Sequence, residues 1–293
     1  MFLSISQNFE IFGFSIAWYA IIILTGIILA AFIGIREGVR LGIQRNDILD
    51  GLLYCMPLAI LGTRLYYVIF NFDRFGFDIL YMLGWDRQNG RFALEGLAVH
   101  GGIITAAIFV FFYCKRRSID RWRALDILAP SLLVGQIIGR WGNFINQEAH
   151  GPATSRAVLA RFMPNWMVEQ MRIGGIYYHP TFLYESVWNL IGLVIIVILR
   201  RTKLIKLGDI FPLYLIWYGL GRGLLIEPFR TDPLMLFGVI RVNVMISLLF
   251  CAIGIAILVL KRKGWPDPKY FPEQMLYIEA LEEKEDGRKH AYI

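Results

Sequence analysis

SIAWYAIIILTGIILAAFIGI, residues 15–35, and LVIIVIL, residues 193–199, are apolar runs in which polar and apolar positions do not alternate. A strand of a membrane barrel alternates over about ten residues, whereas a helix that crosses hydrocarbon needs about 20 largely apolar residues in a row. Seven stretches of that kind can be drawn, at 15–35, 51–70, 94–114, 125–145, 180–199, 209–227 and 237–260. Hydrophobic residues make up 57% of the 293-residue chain, above the roughly 45–50% usual for soluble domains. The mean hydropathy of +0.53 agrees. These patterns predict an all-α integral membrane protein, a seven-transmembrane-helix bundle, and they leave little support for a barrel.

The net charge of +7 would suit nucleic acid if it were spread over one face, but the basic residues sit beside the apolar stretches. Arg36, Arg40 and Arg45 follow the first, Lys115, Arg116, Arg117, Arg121 and Arg123 the third, Arg200, Arg201, Lys203 and Lys206 the fifth, and Lys261, Arg262 and Lys263 the seventh. Basic loops stay in the cytoplasm, so the N-terminus is expected outside and the C-terminus inside, with no role for nucleic acid. The first apolar stretch follows no basic leader and ends without a small-residue cleavage site, and is read as retained. Residues 1–263 are expected to form the membrane domain and 264–293, rich in charge after Pro266 and Pro268, a cytoplasmic tail. The longer outer connections, 71–93 and 146–179, predict a small extracytoplasmic cap, with a helix-like run at 165–172. Cys55, Cys114 and Cys251 lie in separate stretches without a CxxC or a neighbouring histidine, which points to packing rather than to a disulfide or a metal.

Against this background the segment GRWGNFINQEAHG, residues 139–151, places Arg140, Asn143, Asn146, Gln147, Glu148 and His150 at the end of an apolar stretch. Such groups cost at least roughly a few kcal/mol in hydrocarbon and are kept where they line a polar cavity. With the topology above, Arg64 and His100 fall roughly 9 Å from the outer surface at about 1.5 Å per residue. Arg140, Arg222, Glu185, Glu227, Tyr19 and His179 also fall in the outer half. One intramembrane arginine can simply snorkel, one histidine can be a packing residue, and Tyr19 can belong to the interfacial aromatic belt. Three arginines at one depth, with Glu148, Glu185 and Glu227 nearby to neutralise some of them, point to a pocket for an anion. Guanidinium forks bind phosphate bidentately, so a phospholipid is the natural ligand; if phosphate is also the leaving group, the same arginines stabilise its growing charge. Neither a GxSxG elbow nor an HxxEH signature occurs, so the nucleophile is expected to arrive with a second substrate.

The segment 139–151 resembles the signature of the prolipoprotein diacylglyceryl transferases. EGLAVHGG (95–102), DILAPSLLVGQ (126–136), HPTFLYES (179–186) and YGLGR (218–222), followed by EPFRTD, resemble further blocks of that family in order, so the resemblance covers about residues 15–260. It implies a bacterial plasma-membrane enzyme whose active site faces the outer leaflet and which uses no metal or soluble cofactor. The implied reaction moves the diacylglyceryl group of phosphatidylglycerol onto the lipobox cysteine of a prolipoprotein, forming a thioether and releasing glycerol phosphate. The resemblance further implies that Arg140 and Asn143 hold the headgroup, that Asn146, Glu148 and Gly151 shape its pocket, and that Arg222 is the second essential cation. Tyr19 and His100 match positions linked to activity, with His100 the expected base, and Arg64 and Glu227 complete the expected pocket.

Two departures stand out: Glu95 replaces the first of paired glycines, and Arg222 is followed by Glu227 at a spacing of five rather than four. On an α-helix that extra residue rotates the acid by about 100°. The competing readings are an anion or lipid transporter, which would ordinarily show two related halves, and a lipid-binding subunit without chemistry, which would tolerate Arg140→Lys.

Overall fold

A helix facing lipid turns its large apolar side chains outward and packs through its small residues. Helix α1 (Trp18–Arg40) has this pattern, with Gly26, Gly34 and Gly38 buried while Leu24, Ile28 and Phe32 are 57%, 58% and 59% exposed. The computed structural model describes residues 6–11, 14–72, 85–86, 91–92, 99–200, 202, 204–230, 235–236 and 240–263. Helices α1, α2 (Arg45–Phe70), α7 (Thr181–Leu199) and α9 (Val242–Arg262) are each long and apolar enough to cross a membrane. Three more helices fall on the remaining predicted stretches: α3 (Val99–Arg117), α4 (Arg121–Asn146) and α8 (Ile210–Leu220). The chain is thus a mostly helical membrane protein. The predicted tail at 264–293, Glu95 and most of the 71–93 connection lie outside the described residues.

Two compact units make up the chain, residues 42–124 and residues 1–41 with 125–293. In the first, α2 and α3 approach at a glycine crossing: a Cβ on Gly101 would stand 2.2 Å from the Gly62 carbonyl oxygen, and one on Gly62 would stand 2.0 Å from Thr105 Oγ1. At the far end of the same pair, Arg117 bridges Asp47 and Asp50 at 3.1 and 2.7 Å, and the Tyr113 hydroxyl donates to the Asp47 carbonyl at 2.7 Å.

In the second unit, α1 lies on α4, since a Cβ on Gly34 would meet Ser131 Oγ at 3.0 Å. Helices α7 and α8 are joined by two indoles. Trp188 and Trp217 stack with centroids 4.1 Å apart, and each Nε1–H donates to the other's backbone carbonyl at 3.1 Å. Glycines make the room: a Cβ on Gly221 would lie 2.1 Å from Trp188 Nε1, and one on Gly192 would lie 2.3 Å from Trp217 Nε1. Gly221→Ala is expected to destabilise the protein by about 1–3 kcal/mol through overpacking, which outweighs the roughly 0.5–1 kcal/mol that alanine ordinarily gains over glycine in a helix. Thermal unfolding in detergent checks this, and an unchanged midpoint would show that the indole pair yields at no cost.

One end of this unit is tied by charge. Asp209 is fully buried, accepts from Lys261 Nζ at 2.7 Å and from Arg262 Nη2 at 2.9 Å, and takes the Lys206 backbone N–H at 3.0 Å. Asp126 of α4 takes the backbone N–H groups of Gly208 and Phe211. Both carboxylates therefore hold the start of α8, one to α9 and one to α4.

The connection between α4 and α7, where the sequence predicts a cap, is folded and not purely helical; it is called the cap below. It holds short helices α5 (Arg156–Leu159) and α6 (Asn165–Gln170) and a three-stranded antiparallel sheet of β1 (Ala153–Thr154), β3 (Ile176–Tyr178) and β2 (Arg172–Ile173), in that order. Gly174 and Gly175, at φ of 58° and 87°, form the two-residue turn between β2 and β3, and two consecutive positive φ values are what a tight hairpin of this hand requires. Leu159, Met163, Met167, Val168 and Met171 of the cap pack on Phe144 and Phe182, the ends of α4 and α7. The apolar side chains of the cap thereby fix the two helix ends that carry the polar residues described next.

Candidate active site

Helix α4 delivers Arg140 and Asn143 on one face, one turn apart, and the residues after its end carry Glu148 back toward them. Arg140 Nη1 donates to Asn143 Oδ1 at 3.3 Å, and Asn143 Nδ2 donates to Glu148 Oε1 at 2.7 Å. The backbone follows: the Glu148 N–H donates to the Asn143 carbonyl at 3.0 Å, with Gln147 and Ala149 on either side at φ of 56° and 51°. A left-handed conformation at a non-glycine residue costs about 1–3 kcal/mol and persists where the surroundings over-determine it. Here Gln147 Nε2 donates to the Gln170 carbonyl at 2.7 Å, and Thr181 Oγ1 donates to the Ala149 carbonyl. Gly151 closes the segment. Its N–H donates to the His179 carbonyl at 2.9 Å, and a Cβ there would stand 2.8 Å from His179 Cβ. A small pocket lies between these residues, lined by Asn143, Glu148, His150, Thr181 and Phe182.

The deciding contact comes from α7. The buried carboxylate of Glu185 takes Arg140 Nε on Oε2 at 2.7 Å and Arg222 Nη1 on Oε1 at 3.2 Å. Two guanidinium groups from separate helices thus meet across one carboxylate, one oxygen each. Ser186, the next residue, donates to the Ile137 carbonyl at 3.1 Å and ties α7 to α4 at the same level.

Arg222 lies in a π-helical turn, Gly221–Ile226, that continues α8. A π-turn closes i→i+5 hydrogen bonds, so the five-residue step to Glu227 is one repeat there, and the rotation expected of an α-helix does not apply. Glu227 nevertheless engages other partners. It is fully buried, Asn243 Nδ2 donates to its Oε1 at 3.4 Å, and Arg241 Nη1 donates to its backbone carbonyl at 2.8 Å. Glu227 Oε2 has no hydrogen-bond partner among the described residues.

A family profile described as prolipoprotein diacylglyceryl transferase matches residues 7–260. The chain belongs to that family. Among similar proteins, the phosphatidylglycerol–prolipoprotein diacylglyceryl transferase of Streptococcus sanguinis (strain SK36) is 47% identical over 250 residues, covering 85% of this chain and 92% of that protein. The protein of the same description from Enterococcus faecalis (strain ATCC 700802 / V583) is 42% identical over 268 residues, covering 91% and 93%. That from Bacillus cereus (strain G9842) is 44% identical over 259 residues, covering 88% and 92%.

Of the site residues expected from sequence, Arg140, Asn143, Glu148 and Arg222 are joined by the contacts above, and Gly151 lies against His179 beside them. Tyr19, at the start of α1, lays its ring on Gly142, where a Cβ would come within 2.7 Å of Cδ2. Asn146 accepts through its carbonyl from Gln7 Nε2 at 3.2 Å. Arg64 and His100 belong to the 42–124 unit of the transferase fold. Arg64 is buried with its guanidinium 5.9 Å over the Tyr67 ring, and His100 is exposed with its ring 6.2 Å from that of Tyr66. Sequence reasoning had noted Glu185 as a nearby acid without assigning it to the site, though a carboxylate inside an otherwise apolar helix was a usable signal. Asn243, Arg241 and the His179–Tyr184 hydrogen bond, Nδ1 to OH at 3.0 Å, were not anticipated at all.

Proposed function

We infer that this protein transfers the diacylglyceryl group of phosphatidylglycerol to prolipoprotein. The observation that carries the reading is the meeting of Arg140 and Arg222 at Glu185, which creates a cationic site of lipid-headgroup type inside a membrane protein of this family. The transporter reading is not favoured.

In finer detail, the acceptor is the thiol of the lipobox cysteine in the prolipoprotein signal peptide. Its sulfur attacks the glyceryl carbon that bears the phosphate ester. The carbon–oxygen bond breaks, the electron pair leaves on the phosphate oxygen, and the products are a thioether and glycerol phosphate. Arg140 and Arg222 bind the phosphate and stabilise the charge that grows on it, Asn143 orients Arg140, and Asn146, Glu148, Gly151, Tyr19, Arg64 and Glu227 shape the pocket. A free thiol titrates near about 8.5 and is mostly protonated at neutral pH, so the attack needs a proton acceptor, a role proposed for His100. Seven spans, with an outer N-terminus and the arginines toward the outer leaflet of the bacterial plasma membrane, place the headgroup where a secreted acceptor arrives.

The test incubates purified protein with phosphatidylglycerol and a lipobox peptide and looks by mass spectrometry for a diacylglyceryl adduct on cysteine. Absence of the adduct with folded protein sinks the reading. His100→Gln is expected to lower the transfer rate by about 10²–10⁴-fold, the usual contribution of a positioned base. Full activity in that variant would remove the base assignment and leave thiolate formation to the arginine field.

A further inference from the structure

We propose that Glu185 sets the charge preference of the anion site, matching it to a singly charged phosphodiester and disfavouring the doubly charged phosphomonoester that leaves. The inference rests on the transfer reading above and adds a specificity-determining residue to it.

The geometry points this way because Glu185 takes one N–H from each guanidinium, on separate oxygens. Two positive charges and one negative leave the inner cluster at a net +1 (2 − 1). Glu148 stands a step further out: it is exposed and reaches Arg140 only through the Asn143 amide, so solvent screens its charge. Of the further titratable groups, Tyr184 of α7 pairs with His179, Glu227 takes Asn243 Nδ2 on its carboxylate and Arg241 on its backbone carbonyl, and His150 lines the pocket beside Glu148. Guanidinium carries five N–H donors in a planar fork, so a carboxylate that uses one on each side is compatible with a phosphate that uses others.

A phosphodiester headgroup carries one negative charge. Once its glyceryl carbon–oxygen bond breaks, the product is a monoester that loses a second proton near about pH 6. In a partly desolvated site each unit of charge weighs more than in water. A bare pair of arginines would therefore hold the dianionic product more tightly than the monoanionic substrate and would stall turnover. With Glu185 in place the extra charge of the product meets a carboxylate as well as two cations, and release follows the chemistry.

The experiment measures binding of two soluble anions to the detergent-solubilised full-length protein by calorimetry: glycerophosphoglycerol, a diester, and glycerol phosphate, a monoester. In the wild type the monoester is expected to bind within about threefold of the diester at about pH 7.5, and the ratio is expected to move little from about pH 5. In Glu185→Gln the monoester is expected to gain about tenfold or more at about pH 7.5, the diester appreciably less, and the difference is expected to shrink at about pH 5, where the monoester is singly charged. A carboxylate that served only to hold the helices together would, when lost, weaken both anions alike at both pH values, and that result overturns the proposal. If Glu185→Gln does not fold, the wild type still decides: monoester affinity that climbs about tenfold relative to the diester between the two pH values overturns it. A protein that forms the cysteine adduct while its monoester affinity climbs with pH relative to the diester defeats this inference alone. One that keeps the expected anion ratios but forms no adduct defeats the transferase reading alone.

Discussion

Arg140→Lys is expected to lower the rate of diacylglyceryl transfer by about a hundredfold or more, read as the initial rate of adduct formation on a lipobox peptide. Arg140 makes two directed contacts at once, Nε to Glu185 at 2.7 Å and Nη1 to Asn143 at 3.3 Å. Its planar fork is thereby aimed before any substrate arrives. Lysine keeps the charge but is a point ammonium on a flexible stem, and it cannot engage the carboxylate and the amide in that geometry while also presenting a flat pair of donors to phosphate. Loss of one preorganised donor to a developing anion ordinarily costs about 2.7–4 kcal/mol, or about 10²–10³ in rate. A variant within about threefold of the wild type would mean that charge alone suffices, which is the behaviour of a headgroup-binding protein rather than of a positioned catalyst.

Asp209→Ala is the change expected to cost the most stability, about 3–5 kcal/mol. Its carboxylate is fully buried and Lys261, its partner at 2.7 Å, is buried with it. Removing the acid takes the carboxylate from a buried ammonium that also donates to the Leu207 carbonyl at 2.8 Å, and breaking a buried pair by deleting one partner costs more than the attraction it supplied. The companion measurement is the double variant Asp209→Ala, Lys261→Met, which removes both charges and is expected to recover much of the loss in the same denaturation assay. If the single variant matched the wild type, the buried pair would be solvated by routes other than Asp209, and the anchoring of α8 to α9 would have to lie in the glycine contacts at Gly219 and Gly254.

The two results bear on different ends of the larger unit. At one end, charges are paired within the protein to hold α8 in place; at the other, pairing through Glu185 keeps two cations beside a cluster of hydrogen-bonding amides. The same chemical device, a carboxylate between two cations, thus appears at both ends of α8: Asp209 just before it meets Lys261 and Arg262, and Arg222 of its π-helical continuation shares Glu185 of α7 with Arg140. Neighbours rather than burial separate the two: Arg262 beside Asp209 is 47% exposed and Arg140 beside Glu185 is 28% exposed, whereas Arg140 donates on into the hydrogen-bonded chain of Asn143 and Glu148.

Much of the architecture was legible without coordinates because hydrophobic length is a local property. Stretches such as 15–35 and 180–199 reach the roughly 20 residues that hydrocarbon demands, and helices form at both. In the long 146–179 connection, with Pro152 and Pro164, the helix expected at 165–172 forms as Asn165–Gln170. The polar signature marked a candidate site, because Arg140, Asn143 and Glu148 are expensive to keep near hydrocarbon unless something polar meets them, and the structure joins those three side chains by hydrogen bonds. What sequence alone could not decide was which charges meet. Glu185 and Arg222 are 37 residues apart, and no periodicity relates an acid on one helix to cations on two others. Their meeting depends on the helix crossings, set in part by where Gly192 and Gly221 admit the two indoles. The π-turn at Gly221–Ile226 was equally hidden, since a one-residue change in helical pitch leaves no mark on composition but decides where Arg222 and Glu227 point. Membrane insertion is governed by the summed hydrophobicity of contiguous residues, so the sequence determined it; the pairing of charges is governed by three-dimensional distance, so only the tertiary structure could.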